Sequence, residues 1–249
     1  MHARQSSRPG FSRHLGVGVI TAALALGACS SSNEHAQSPE AVNTQRVDAL
    51  ARLDQSTTSI KEFRQGMADD VAARARCVVI VPSLKKGGLI IGGQSGRGFA
   101  ACRTGAGWSG PAPVTMSGGT FGAQIGFQSS DVLALIMTEK AEHALEAGKF
   151  KVGVDASASA GPVGTGRGTQ IGADVQSYSR SQGLFAGATL DGTSIDADTD
   201  AMTALYGPTT VFSSILEGQV APPPQTEVNR FLATMREFFP RTPVAQSSR

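Results

Sequence analysis

Apolar residues recur at steps of three and four through Val42, Val47, Leu50 and Leu53, and again through Ile60, Phe63, Met67 and Val71. That spacing predicts two amphipathic helices, broken near Gln55 to Thr58. From Cys77 the pattern changes to short runs rich in Val, Ile and Phe between glycines: CVVIVP, GGLIIGG and GRGFAAC, then Thr120 to Gln128 and Asp131 to Met137. These predict strands joined by tight turns. Thr138 caps a short helix through Ala147, with Gly148 where a left-handed residue ends it. Phe150, Val152 and Val154 alternate with Lys151, Gly153 and Asp155, the pattern of a strand with one wet face. Strands near Thr169 to Ser179 and Leu184 to Leu190 follow, with short helical stretches around Asp198 to Tyr206 and Thr209 to Glu217. After Pro222-Pro223-Pro224, a last helix carries Val228, Phe231, Leu232, Met235, Phe238 and Phe239 on one face.

The fold class is α+β with antiparallel pairing. Thirty glycines fall largely inside the strand region, where glycine marks bulges, bends or close backbone approach. A strongly curved, Gly-rich antiparallel sheet or partly closed barrel is expected, flanked by N-terminal and C-terminal amphipathic helices. No repeat of fixed period interrupts residues 40–220, and one domain is read there.

The first 28 residues have a different character. Arg4, Arg8 and Arg13 precede an apolar run, Leu15 to Leu26, and Leu26-Gly27-Ala28-Cys29 closes it with small residues. The run is about a dozen residues, short of the roughly 20 a spanning helix needs. The segment resembles a bacterial lipoprotein signal, which implies removal of residues 1–28 and lipidation of Cys29 by a diacylglycerol thioether and an amide-linked acyl chain. Ser30 after Cys29 resembles lipoproteins sent to the outer membrane, facing the periplasm. Residues 29–41 read as a lipidated cysteine and polar tether, whose twelve residues after Cys29 reach about 40 Å at most.

Three of the 22 Lys and Arg residues lie in that signal, which leaves 19 against 20 Asp and Glu. The mature chain is near neutral, so a strongly cationic nucleic-acid binder is not indicated. With Cys29 used for lipid, Cys77 and Cys102 remain as an even pair in a compartment that permits disulfides; a bridge and two buried thiols both fit the sequence.

Catalytic equipment is sparse. His143 is the one histidine after the tether, and no His-x-x-x-His, Cys-x-x-Cys or G-x-S-x-G pattern occurs. Asp196, Asp198 and Asp200 are spaced like the start of a calcium loop, but Ala201 and Gly207 stand where that loop needs glycine and glutamate. The chain is expected to be non-enzymatic, with no metal and no cofactor.

Several motifs occur in order: Val81-Pro82-Ser83 with Lys85-Lys86-Gly87-Gly88, Gly92-Gly93-Gln94-Ser95-Gly96-Arg97-Gly98, Gly107-Trp108-Ser109-Gly110-Pro111, and Gly118 to Gly126. Then come Gly148-Lys149-Phe150, Gly153-Val154-Asp155-Ala156, Ala160 to Gly164, Ser177-Tyr178-Ser179-Arg180-Ser181 and Gly183-Leu184-Phe185-Ala186-Gly187. Together they resemble the SYLF, or Ysc84-type, domain over about residues 42–218, leaving 219–249 as a Pro-rich link, helix and tail. Where family members often carry Asn-x-x-Tyr-Tyr-Gly, this chain has Met202-Thr203-Ala204-Leu205-Tyr206-Gly207.

The resemblance implies binding of phosphoinositides or other anionic lipids, and in fungal members of actin, a partner without a place in a bacterial envelope. Lys85, Lys86, Arg97 and Arg103 are the candidate head-group residues, with Lys149, Lys151, Arg167 and Arg180 as a second set. The expected function is a membrane-anchored envelope lipoprotein binding phospholipid. The alternative is a structural module that offers its C-terminal helix to another envelope protein.

Overall fold

The computed structural model describes residues 38–240 apart from 89–90, 122–125, 161–172, 182–183 and 188–189. The signal, Cys29, most of the tether, Arg167 and most of the Ala160 to Gly164 motif lie outside the described residues. Those described belong to one compact unit, Gln37–Arg249.

Helix α1 (Pro39–Arg64) begins behind Ser38, whose side chain accepts from the Ala41 N–H, with proline at the first helical position. It runs unbroken through residues 55–58, which corrects the expectation of two helices parted there. Ser56, Thr57 and Thr58 donate their hydroxyls to carbonyls four residues earlier, at 2.9, 2.9 and 3.2 Å. The polar stretch is thus satisfied within the helix, and Ser56 and Thr57 are buried. The break falls after Arg64, before α2 (Asp69–Arg74).

Five strands follow: β1 (Cys77–Gly88), β2 (Ile91–Thr104), β3 (Gly107–Trp108), β4 (Ala112–Phe121) and β5 (Gly126–Ile136). Residues 126–128 therefore continue into Asp131–Ile136 as one strand instead of ending the preceding one. Helix α3 (Glu139–Glu146) has the expected Thr138 cap, and Gly148 has a φ of 74°. Strands β6 (Lys149–Lys151), β7 (Ala158–Ala160), β8 (Val175–Ser181), β9 (Leu184–Gly187) and β10 (Thr193–Ala197) complete the sheet; α4 (Thr199–Tyr206), α5 (Phe212–Leu216) and α6 (Thr226–Phe238) close the chain.

Two expectations here are corrected. The strand expected through Val154 stops at Lys151, because the Asp155 carboxylate accepts from the Lys151 N–H at 2.6 Å and closes a turn that leaves Val154 exposed. The aspartate-rich segment, expected as a solvated acidic loop that begins a helix, does begin α4 at Asp198 but contains β10 before it: Ile195 is buried between Phe150 of β6 and Met116 of β4.

The strand order is β6-β10-β4-β2-β1-β5-β8-β7, with β3 beside β2 and β9 beside β8, and this path does not close. All pairs are antiparallel except β7 with β8. The central strands are buried on both faces. Val78, Ile80, Phe99, Ala101, Leu133 and Leu135 join α1, α2, α4 and α6 in one core. Val79, Val81, Ala100, Val132, Ala134 and Ile136 join α3 and α5 in the other. Two-sided burial explains why these strands read as continuous apolar runs.

Helix α6 buries Val228, Phe231, Leu232 and Met235 in the first core, and Arg64 of α1 donates to the Phe238 carbonyl at 3.0 Å. The face expected to be open to another protein is covered by the chain itself.

Halfway along β1 the register changes. Val81 pairs with Val132 and Leu84 with Ser130, so Pro82 and Ser83 together oppose Asp131, a β-bulge. Ser83 takes a φ of 56°, alone among the described non-glycine residues in being positive, and its N–H donates to Asp131 Oδ1 at 2.9 Å. The bulge presses β1 onto β2, where a Cβ built on Gly98 would lie 1.9 Å from the Ile80 carbonyl oxygen. Backbone cannot yield to that contact as a flexible side chain would. Gly98→Ala is expected to cost about 3 kcal/mol or more, read as a lower urea midpoint; an unchanged midpoint would remove the close approach from the account of the bulge.

Candidate functional site

The bulge gathers polar groups from four elements. Asp131 Oδ2 accepts from Ser59 of α1 and from Arg180 of β8, each at 2.9 Å, while Oδ1 holds Ser83. Arg180 also pairs with Glu62 of α1. Two segments singled out in the sequence, Val81-Pro82-Ser83 and Ser177 to Ser181, thus meet across β5. Each carboxylate faces a donor, which makes this a clamp between α1 and the sheet and commits Arg180 to structure.

Arg103 is likewise committed. Its Nε donates to the Ala75 carbonyl at 2.6 Å, and Nη2 lies 3.3, 3.2 and 3.1 Å from the carbonyls of Ala72, Ala73 and Pro240. Its guanidinium sits 4.6 Å from the centre of the Trp108 ring, which meets Phe239 edge-on at 6.0 Å. A cation stacked on indole and donating to carbonyls at the end of α2 and the chain beyond α6 holds those ends against β2. Trp108 is therefore a core residue.

Arg97 pairs with Asp198 at 3.3 Å, a carboxylate only 4% exposed that also caps α4 through the Ala201 N–H. Burial, then the charge of Arg97, lowers the pKa of nearby Arg52, against the pull of Asp198 and Asp48. Asp196 lies in β10 and Asp200 in α4, so the expected acidic series is divided between a strand, a cap and a helix.

Lys85 and Lys86 differ from these arginines: Lys85 is exposed and Lys86 half-buried. Neither has a carboxylate partner among the described ion pairs. Lys85 pairs in register with Ser95, and Arg103 lies about 27 Å further along β2 at roughly 3.4 Å per residue. The four candidate cations therefore do not form one patch. Lys149 and Lys151 are exposed on the edge strand β6.

Phe127, one register row beyond Lys86, is 98% exposed. In the sequence it falls within Thr120 to Gln128, an expected strand, where nothing in the apolar pattern sets it apart. A signal was present: residues 71–130 contain no aspartate or glutamate, and every charge between them is positive.

The Cys77 and Cys102 sulfurs are bonded at 2.04 Å, across directly opposed residues of β1 and β2. Glu142 Oε1 lies 3.9 Å from Cys77 Sγ, and its other oxygen pairs with Arg76. These two cysteines and Glu142 are the one group of three potential metal-binding side chains found among the described residues. With the sulfurs bonded to each other, the group offers no thiolate.

Other perturbed groups lie apart from one another. Burial raises Tyr178 to about 12, and it raises Tyr206, whose hydroxyl donates to the Pro111 carbonyl at 3.0 Å. A hydrogen bond from Thr138 lowers Asp174. His143 is exposed on α3 between Glu139 and Glu146, and the hydrogen bond with Glu146 raises its pKa.

Residues 117–237 match the family described as Ysc84, Las17-binding protein actin regulator. LAS seventeen-binding protein 3 of Saccharomyces cerevisiae is 32% identical over 171 residues, covering 66% of this chain and 37% of that protein. SH3 domain-containing YSC84-like protein 1 of Xenopus laevis is 26% identical over 185 residues, covering 72% and 54%. The chain belongs to the SYLF (Ysc84) family. It spans between a third and just over half of the length of these relatives.

Two outcomes test these structural assignments. Arg103→Ala is expected to cost about 3 kcal/mol and lower Tm by roughly 6–12 °C; an unchanged melting curve would return Arg103 to the free surface. Alkylation without reductant is expected to add no mass at Cys77 or Cys102. Replacing both with Ala is expected to cost about 3 kcal/mol of loop entropy, and mass gain at either thiol in the oxidised protein would exclude the bridge.

Proposed function

We propose that this chain is a lipid-anchored protein of the bacterial envelope whose SYLF domain engages an anionic phospholipid surface without catalysis. In this reading Cys29 carries the acyl chains, and the protein resides at the outer membrane, facing the periplasm. Lys85 and Lys86 carry the reading: they are neighbouring cations near the end of β1, one exposed and one half-buried, with no described carboxylate partner, in a stretch free of acidic residues. Arg97, Arg103 and Arg180 are left out of the head-group set because each has structural partners.

Cationic side chains near an anionic membrane contribute about 1 kcal/mol each. The anchor complements them, since its nine-residue separation from Ser38 keeps the start of α1 within about 35 Å of the acyl chains. Among the described residues no helix is long and apolar enough to cross a membrane. The fungal relative's name speaks of Las17 binding, and that partner is not carried over, because an exported chain does not meet it.

The test is vesicle flotation of residues 29–249 bearing Cys29→Ser, which removes the anchor. Binding is expected on anionic and not on neutral phosphatidylcholine vesicles. Lys85→Gln with Lys86→Gln is expected to weaken it about 30-fold. Equal binding to both vesicle types, or to neither, would overturn head-group recognition. For the anchor, acyl-chain mass on the N-terminal peptide of the membrane fraction is expected, and its absence would overturn the lipidation of Cys29.

A further inference from the structure

Beyond the bulge, β1 and β5 run past the helices. The last β1 residue in the helix-side core is Ile80 and the first on β5 is Leu133, yet the ladder continues to Gly88 opposite Gly126. Over this outer stretch the helix-side residues are Lys85 and Gly87 on β1, with Ser129 and Phe127 opposite them. Lys85, Ser129 and Phe127 are exposed, as are Ser95 and Gly93 on β2. Phe127 stands one row from the end of the ladder. Its ring lies across the bare backbone of Gly87, where an added Cβ would meet two ring carbons at 2.8 Å.

The charges are arranged by rows behind it. Lys86 opposes Gln128 and Lys85 opposes Ser129, which puts them about 3.4 Å and 7 Å behind the Phe127 row. Successive residues of a strand point to opposite faces, so the two lysines flank the sheet on its two sides. We infer that this end of the β1–β5 ladder enters an anionic bilayer surface tip-first, with Phe127 in the interfacial layer and Lys85 and Lys86 reaching phosphates on either side.

A lipid surface fits better than a protein one. Interface cores between proteins bury several apolar side chains and are depleted in lysine. Among the described residues of this ladder end, a single large exposed aromatic stands among Ser, Gln and Gly, with two lysines behind it. Phenylalanine on the apolar side of a segment that carries Lys or Arg is a pairing found where proteins lie in the membrane interface, and cations near the surface are drawn to anionic lipid. No carboxylate on the neighbouring strands opposes the approach, since the nearest acidic residue along β5 is Asp131, held by Ser59, Ser83 and Arg180.

This inference rests on the lipid-binding reading and is separable from it. Phe127→Trp in the Cys29→Ser chain is the decisive variant, with Trp108, buried behind Arg103, as background. On anionic vesicles its emission is expected to shift to the blue and to be quenched by lipids brominated near the head group, while the Phe127 protein shows neither change. Phe127→Ala is expected to weaken binding about tenfold or more with Tm unchanged, because the ring is solvated in the free protein. If the Phe127→Trp variant binds anionic vesicles but its emission neither shifts nor is quenched, tip-first entry is overturned and head-group binding stands. Failure of the Phe127 protein to bind anionic vesicles overturns both. A Phe127-dependent dimer in sedimentation without lipid would also overturn it, assigning the ring to a second copy.

Discussion

The extra residue in β1 sets the relation between the two halves of this sheet. Before it, even-numbered positions such as Val78 and Ile80 lie on the helix side of the sheet; after it, odd-numbered positions, Lys85 and Gly87, lie on that side, past the end of the helical cover. Without the bulge the alternation would send Leu84 to the helix side and Lys85 to the core of Val81 and Met116, because a one-residue change of register reverses every side chain beyond it. The bulge keeps Leu84 buried with Val81 and leaves Lys85 outside. It depends on Ser83 holding an unfavourable φ, on Asp131 accepting its N–H, and on Gly98 having no side chain. The same carboxylate is held by Ser59 and Arg180, so α1, β1, β5 and β8 share one fastening point.

That fastening separates structural from free charge. Arg97, Arg103 and Arg180 each reach a carboxylate or a set of carbonyls at an element's end, as suits a planar group with five donors. The lysines lie past the bulge where helices no longer cover the sheet. The division follows position: inside the covered half an unpaired cation would cost free energy, and outside it water screens the charge.

The sequence showed much of this architecture and little of the site. Thr138 and Gly148 bounded α3 because caps are local chemistry. The apolar runs at Cys77–Val81 and Val132–Ile136 were legible because burial on both faces leaves no polar alternation. Ser56 to Thr58 misled because a hydroxyl's return bond to its own helix is invisible in composition, and Val154 misled because alternation persists in a turn. Val81-Pro82-Ser83 and Ser177 to Ser181 were visible as family markers, but their convergence on Asp131 follows from the β1–β5–β8 register. Arg103 looked like a free cation because the carbonyls it serves, from Ala72 to Pro240, are distant in sequence. Phe127 looks in the sequence like one more apolar strand residue, since periodicity does not mark where helical cover ends.

A contact made of one aromatic ring and two lysines is weak by itself. At about 1 kcal/mol per lysine and roughly 2 for the ring, it corresponds to dissociation in the millimolar range. In the proposed arrangement the anchor changes the meaning of that weakness. A tether this short supplies an effective concentration of the same millimolar order, so an anchored domain would be neither always docked nor always free. A change in surface charge that alters the attraction by about 1.4 kcal/mol moves the docked-to-free ratio tenfold. A larger apolar tip would remove that sensitivity, and an unanchored domain would seldom dock. The small size of the apolar feature exposed among the described residues is thus the property that would let this domain report membrane charge.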